Sequence, residues 1–486
     1  MKRDNALKRW KRRAAFATAS AALALALAAP ASAEEAEPLE QVSEVFELIE
    51  GYHLSATTDE KLRDAAIRGM IESLNDPYTQ YYDEAAWDEM YDSFEQTYVG
   101  IGIRFAAVDE GLLVLRVYEG SAAAAAGLRV GDVVVGVAGA TVQGKTTAEL
   151  RQAMLGPEGT SVSLDVRRVE NGETESVSIV RKPFHIPTAE HAFFEGGVGY
   201  VRMTSFSSDT SKLVGEALAA FEAKPSYRAL VIDLRGNPGG YLDAVRDIAS
   251  NFVESGTLLR TVDRSGKEQS ISVRDGRKSP VPVTLIVDEQ SASASEVFAG
   301  ALQDYGLATV VGAKTYGKGS VQRLIPLETG GGLRLTIQEY LTPNGRKVNG
   351  VGIAPDVAAS TPTAQTMIAL REAGLKRFRV EMRGYETIVN GVVFDFVVPT
   401  VRENGRAYVS AAALAALADG AVAWDGAARA VSIQAGGKTV AFREGDGLLL
   451  RDGSGLIDAA SFARAFPHVQ MTTSEKTIVA EVEDRG

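Results

Sequence analysis

The rhythm of polar and apolar positions changes several times along the chain. From Leu39 to Glu95 apolar residues return every three or four positions, at Val42, Val45, Phe46 and Ile49 and again at Leu62, Ala66, Ile67, Met70 and Leu74. That spacing predicts helices that bury one face. Asn75-Asp76-Pro77 should stop the second of them, because proline pushes the residue before it out of the helical region. From Thr97 to Arg168 the runs Leu112–Val117, Val133–Val137 and Val162–Val166 read as strands around one helical piece, Thr147–Met154. From Ala192 to Val357 strands and helices alternate, the pattern of an α/β domain. Ala358-Ala359-Ser360-Thr361-Pro362-Thr363 reads as a linker, and a last unit runs from about Gly384 onward.

Composition narrows the chemistry. The 486 residues include no cysteine and four scattered histidines, His53, His185, His191 and His468. A disulfide framework, a zinc ribbon, an iron–sulfur cluster and a thiol nucleophile are excluded, and no metal site is expected. The chemistry must come from serine, lysine, carboxylates or backbone. Residues 2–13 hold seven basic side chains against Asp4, an Ala/Leu-rich run follows to Ala29, and Pro30-Ala31-Ser32-Ala33 precedes Glu34-Glu35. That order reads as a signal peptide over residues 1–33. Its removal would change the formal charge by −6, from −12 to −18. The signal-peptide order leads to the expectation of an exported chain, extracellular or attached to the cell envelope, and so acidic an exported chain is expected to bind no nucleic acid and no anionic lipid surface. Its one tie to a membrane would be an uncleaved leading segment.

Tyr98-Val99-Gly100-Ile101-Gly102-Ile103 opens the second segment. Glycine at 100 and 102 lets successive N–H groups turn toward one point, a nest able to hold a carboxylate. A strand edge beyond it can pair with an extended peptide. Alone, such a loop is equally an ordinary turn. Followed by Gly120-Ser121, Ala126-Gly127-Leu128 and Val130-Gly131-Asp132-Val133-Val134, it resembles the PDZ domains of bacterial proteases. The resemblance implies that Val99, Gly100, Ile101, Gly102 and Ile103 bind a free C-terminus or an extended apolar segment.

In the α/β segment, Leu230–Leu234 runs as a buried strand into Arg235-Gly236-Asn237-Pro238-Gly239-Gly240. Glycines there allow backbone N–H groups to approach a ligand, as an oxyanion hole requires, though a plain turn explains them as well. A second strand, Val283–Val287, leads into Ser291-Ala292-Ser293-Ala294-Ser295-Glu296. Small residues at a strand–helix elbow can present a serine sharply. Spacing does not rank the three serines, and any one of them can equally cap the helix. Lys318 lies between Gly317 and Gly319, which permits close packing and burial of its amine. Desolvation lowers a lysine pKa and makes the amine a usable general base. If 318–322 is a strand, Gln322 shares the face of Lys318. His185 and His191 are the histidines that could reach a serine through space. Gly-Lys-Gly-Ser does not follow the spacing of a P-loop.

Taken together, LNDPYTQYY (74–82), GYVRMTSF (199–206), LVIDLRGNPGG (230–240), SASASEVFAGAL (291–302), TYGKGSVQ (315–322) and YLTPNGRKVNGVGIAPDV (340–357) resemble the carboxyl-terminal processing peptidases. These are tail-specific serine proteases with a Ser–Lys dyad, and the resemblance runs in unbroken motif order over residues 39–357. It implies Ser293 as nucleophile, Lys318 as general base and Gln322 as the residue that orients it. The oxyanion hole would be the N–H groups of Ala294 and Gly239, with Gly240 in its place if the turn is shifted by one. Also implied are protein substrates, C-terminal peptides as ligands, gating by the PDZ unit, a homodimer built through the helical N-terminal arms and terminal regions, and no cofactor. Arg168, at the end of the last PDZ strand, is expected to link the PDZ unit to Gln322.

Ile388-Val389-Asn390-Gly391, Glu403–Ser410 and Ala421–Asp425 resemble the copper amine oxidase N-terminal domain-like repeat, whose role here would be attachment, dimerisation or docking. His468 is the one histidine after residue 191, so no strong copper site is expected. The expected architecture is multidomain α+β. A helical N-terminal arm (34–95) is followed by a PDZ β-sandwich or barrel (96–182) and a ClpP/crotonase-like α/β protease core (183–360). A linker or helix (361–383) then leads to a small β-rich C-terminal domain (384–486). The competing reading is a catalytically silent PDZ scaffold that binds protein tails; intact Ser293, Lys318 and Gln322 favour the enzyme.

Overall fold

A computed structural model describes residues 37–483 apart from Ala56 and Asp452, so the expected signal peptide lies outside the described residues. The chain divides into two compact units, one ending at Tyr81 and one starting at Tyr82. The first holds α1 (Glu37–Tyr52) and α2 (Asp59–Glu72). The Thr58 hydroxyl accepts from Lys61 N and caps α2. Beyond its end, the Asp76 carboxylate accepts from Tyr78 N and the Thr79 hydroxyl, which fixes the turn before Pro77 could ever have continued a helix. The apolar stripe of α1, with Leu39, Val42, Val45 and Leu48, is exposed.

The second unit begins with α3 (Glu84–Phe94) and a neck made of two antiparallel strands, β1 (Thr97–Gly100) and β7 (Lys182–His185), paired with Gly100 opposite Lys182. Between them lies a small barrel-like domain. Its strands β2 (Ile103–Val108), β3 (Gly111–Val117), β4 (Val133–Val137), β5 (Ser161–Arg167) and β6 (Thr174–Val180) lie in the order of their numbers, which leaves β2 at the sheet edge. Helix α4 (Thr147–Met154) is closed by a capping box between Thr146 and Glu149. Leu112, Val114, Leu150, Leu164 and Val166 fill the core of this domain.

The α/β core is a six-stranded sheet, β8 (Ala189–Phe194), β9 (Val198–Met203), β10 (Ala229–Asp233), β13 (Val283–Val287), β14 (Thr309–Gly312) and β17 (Val357–Ala358) in spatial order. All neighbours are parallel except β8 and β9. Between β9 and β10 comes α5 (Thr210–Glu222), and between β10 and β13 come α6 (Leu242–Ala249), β11 (Gly256–Asp263) and β12 (Glu268–Val273). Every residue of β10 and β13 is buried, as continuous apolar runs in a sheet covered on both faces must be. Helix α7 (Ala294–Asp304) follows β13. A second, antiparallel sheet joins β11 and β12 to β15 (Ser320–Pro326) and β16 (Gly332–Leu341).

The stretch expected to be a linker is structured. Val357 and Ala358 add the last strand to the main sheet, and Thr361 caps α8 (Pro362–Glu372) through its hydroxyl. Met367, Ala369 and Leu370 of α8 are buried in one cluster with Tyr200, Val231 and Ile286 of the core sheet and Phe378, Leu414 and Phe462 beyond. The C-terminal unit therefore shares a hydrophobic core with the α/β domain and is not a tethered appendage. It also starts earlier than Gly384: β18 (Arg377–Arg383) pairs along its length with the strand Thr477–Glu483, a long-range match invisible in local pattern.

Candidate active site

Strands β10 and β13 are adjacent and parallel, so their carboxyl ends open side by side, where α/β sheets place ligands. The loop after β10 carries Arg235–Gly240, and the loop after β13 carries Ser291, Ser293 and Ser295. The structure separates these three serines. Ser291 is fully buried and its hydroxyl donates to Leu234 O at 2.8 Å. Ser295 is fully buried as well, and its hydroxyl donates to Asn237 O at 2.9 Å. Both lace one loop to the other. Ser293 is half-buried and stands just before α7 with φ 54° and ψ −112°. A β-carbon residue at positive φ is strained, and such strain is the mark of a serine held at a sharp elbow.

What holds that strain is Glu296, whose carboxylate is completely buried. One oxygen accepts from Ser293 N and Lys318 N, both at 2.8 Å. The other accepts from the Thr315 hydroxyl at 2.6 Å and Gly317 N at 2.7 Å. One side chain thus ties the elbow to the loop that carries Lys318. The Tyr340 hydroxyl makes a second tie, 3.1 Å from Ser293 O and 2.8 Å from Lys318 O. Neither Glu296 nor Tyr340 was singled out by sequence reasoning. The capping-box spacing Ser293–Glu296 was a signal, but its second partner 22 residues on was not.

Lys318 is half-buried, and its neighbours justify the two glycines. A Cβ on Gly319 would lie 2.0 Å from Asn349 N, and Gly317 has φ 90°. The strand argument that put Lys318 and Gln322 on one face does not hold. Strand β15 starts only at Ser320, and its register shifts between Val321 and Gln322. The amide nitrogen of Gln322 donates to Ser320 Oγ at 2.8 Å and approaches Thr336 Oγ1 at 3.5 Å.

On the oxyanion side, Gly239 presses against the elbow. A Cβ there would sit 2.9 Å from Ser293 Cβ and from Ala294 N. Its N–H, however, donates to Asn237 Oδ1 at 2.9 Å, the local bond that asparagine offers two residues on. That bond engages the N–H expected to face an oxyanion. The N–H of Gly240 has no acceptor among the described residues, and Ala294 opens α7, where an N–H has no intrahelical acceptor. The loop itself is anchored from beneath. Asp233 is buried and receives Arg235 Nε at 2.9 Å and the Tyr200 hydroxyl at 2.8 Å. Burial alone would raise the Asp233 carboxyl, but the Arg235 charge and the bonds from Arg235 and Tyr200 outweigh it and hold it below its ordinary value.

The histidines are engaged elsewhere. His185 bonds Asp209 and Glu95 O, and His191 stacks edge-on against Phe221. In the PDZ-like domain Val99 and Gly100 belong to β1, Ile103 opens β2, and Gly102 turns the chain between them with φ 78°, tight against Ser121. A cavity of about 220 Å³ opens between the end of β2 and the start of α4, lined by Ala107, Val108, Val142 and Leu150. Arg168 is not brought to Gln322. Its guanidinium bonds buried Asp132, Gly127 O and Glu175 within the same domain. A different arginine stands at the neck: Arg181, next to Lys182, is buried and donates to Met154 O at the end of α4 and to Thr160.

A strained serine elbow, a lysine tied to it and a peptide-binding fold on a two-stranded neck describe a serine peptidase with a PDZ unit. Residues 197–359 match Peptidase family S41 and residues 113–168 a PDZ domain. Residues 7–86 match the Activating protease CtpB N-terminal domain, and 388–461 the Copper amine oxidase N-terminal domain. The Carboxy-terminal processing protease CtpB of Bacillus subtilis is 33% identical over 336 residues, covering 68% of this chain and 70% of that one. A probable CtpA-like serine protease of Staphylococcus aureus is 33% identical over 332 residues, covering 68% and 66%. Among solved structures, the photosystem II D1 C-terminal processing protease aligns with 69% of this chain and 96% of its own at 25% identity, with a TM-score of 0.43. The chain belongs to peptidase family S41, as a PDZ-containing serine protease of the carboxyl-terminal processing kind.

Proposed function

We propose that Ser293 is the nucleophile and Lys318 the general base of this protease, with Gln322 orienting the lysine amine through its amide oxygen. The observation that carries this reading is the double tie between elbow and lysine loop made by Glu296 and Tyr340. Lys318, as the free amine, takes the proton of the Ser293 hydroxyl while its oxygen attacks the scissile carbonyl carbon. The N–H groups of Ala294 and Gly240 hold the oxyanion, and Lys318 returns the proton to the leaving amine. Water then attacks the acyl carbon as the same amine takes its proton, and Lys318 returns that proton to Ser293 Oγ as the ester bond breaks and the new C-terminus leaves. Every step uses groups of the chain and water alone.

The ligand of the PDZ unit is a protein C-terminus or an extended apolar segment. It would pair with the free edge of β2, with its terminal carboxylate at Val99–Ile103, where the strand begins. The exposed apolar stripe of α1 supports a homodimer through the N-terminal arm. The basic-then-apolar order of residues 2–29 supports export to the envelope or beyond. The deciding experiment is cleavage of casein by the purified chain, with Ser293→Ala and Lys318→Ala in parallel. Cutting by the wild type and by neither variant upholds the assignment; equal cutting by either variant overturns it. A wild type that binds tails and never cuts would favour the scaffold.

A further inference from the structure

We infer that the C-terminal unit couples the PDZ unit to the oxyanion loop, through three consecutive residues, Phe394-Asp395-Phe396. Phe394 ends β19 (Val392–Phe394), a strand of the same sheet as β18, and the other two follow it directly. Each of the three meets a different part of the molecule. The ring of Phe394 lies 5.1 Å from that of Tyr200, whose hydroxyl holds Asp233. The ring of Phe396 lies 5.5 Å beneath the Arg235 guanidinium, which opens the oxyanion loop and also donates to Pro362 O of α8 at 2.9 Å. Asp395 bonds two arginines with its two carboxylate oxygens. One is Arg202 in β9, opposite Asp233 in the sheet register, and the other is Arg104 in β2, the edge strand of the PDZ unit.

The charges make this arrangement more than contact. Arg104 and Arg202 would repel one another across the junction, and the single carboxylate of Asp395 turns that repulsion into attraction. All three side chains are only partly exposed, so solvent screens the cluster less than an open surface pair. A second pair from the same unit, Lys476 with Glu110 at 3.2 Å, reaches the turn just after β2. The C-terminal unit therefore grips the PDZ unit at both ends of the strand a peptide would join. Because residues 394, 395 and 396 are neighbours on one backbone, a turn of the PDZ unit that pulls Asp395 also disturbs the packing under Arg235. The idea rests on the proposed gating by the PDZ unit, and supplies it with a physical linkage that Arg168 does not.

The test uses the full chain with Asp395→Asn, Arg104→Gln and the double variant. Two quantities are read: hydrogen exchange at the amides of β2, and the rate on casein with a synthetic decapeptide ending in free Val-Ala-Ala divided by the rate without it. The amidated decapeptide is the control. Asp395→Asn should speed exchange in β2 about three- to tenfold, the range expected when a networked ion pair that restrains local opening is lost. Each single variant should lower the stimulation at least threefold, and the double should fall no further, because both remove one link. Asp395→Glu should restore both readings. Unchanged exchange in Asp395→Asn, or single effects that multiply in the double, overturns the inference. If the wild type is not stimulated at all, gating has failed, and exchange alone decides the link.

Discussion

Replacing Glu296 by glutamine keeps its shape and removes one acceptor from a buried site where four donors converge. If the amide oxygen stays toward Ser293 and Lys318, the new NH2 faces Thr315 and Gly317. The Thr315 hydroxyl can rotate to accept, which leaves Gly317 N–H without a partner. The opposite flip strands the N–H groups of both Ser293 and Lys318. A buried donor without a partner costs about 1–3 kcal/mol, so the first arrangement wins. The stranded N–H belongs to Gly317, next to Lys318, so a shift of the lysine loop away from the elbow is the cheapest relief. The loss should therefore appear first in catalysis. At about 1.4 kcal/mol per tenfold in rate, kcat should fall roughly 10- to 100-fold. KM should hold, because Glu296 is buried away from substrate. Initial rates over a range of casein concentrations, with thermal unfolding in parallel, provide the assay. A kcat within twofold of wild type at unchanged Tm would refute the view that Glu296 holds the lysine loop against the elbow.

Other outcomes follow from neighbouring contacts. Tyr340→Phe removes the hydroxyl shared by Ser293 O and Lys318 O, and should lower kcat about fivefold for ~1 kcal/mol, read in the same assay. Gly319→Ala drives a Cβ to within 2.0 Å of the Asn349 backbone, so the Lys318 loop must shift and activity should fall more than tenfold; near-wild-type rates would show that the loop has slack. The depressed Asp233 carboxyl gives a pH signature. Its folded value lies below its unfolded one of about 3.9, so its contribution to stability is full above that pH and lost as pH falls through the folded value. Urea midpoints between pH 3 and 6 should show that loss. Asp233→Asn should flatten it and also lower stability at pH 6 by about 3–5 kcal/mol, since Arg235 is left buried without its partner.

Local sequence was enough for whatever is decided within a few residues. Thr147–Met154 has its bounds in the pattern because a capping box opens it, and β10 and β13 are plain in their unbroken apolar runs. The order of motifs was likewise enough for the family and for Ser293, Lys318 and Gln322 as candidates. Other features were decided only by chain segments meeting in space. The three serines are distinguished by what their hydroxyls touch: Ser291 and Ser295 bond carbonyls 57 and 58 residues away, and no local spacing encodes that. Gly239 and Gly240 are told apart by the Asn237 side-chain oxygen, which accepts from the N–H of Gly239. Arg168 looked like a messenger because it ends a strand, yet buried Asp132 claims its charge. Ala358–Thr363 looked like a linker because small and polar residues dominate it, while the apolar face that seats α8 begins only beyond. The two-arginine bridge at Asp395 spans 193 and 291 residues of sequence. Periodicity and propensity act along the chain, whereas burial, charge pairing and hydrogen-bond satisfaction act across it, and the coupling of this protease to its outer units lies wholly in the second kind.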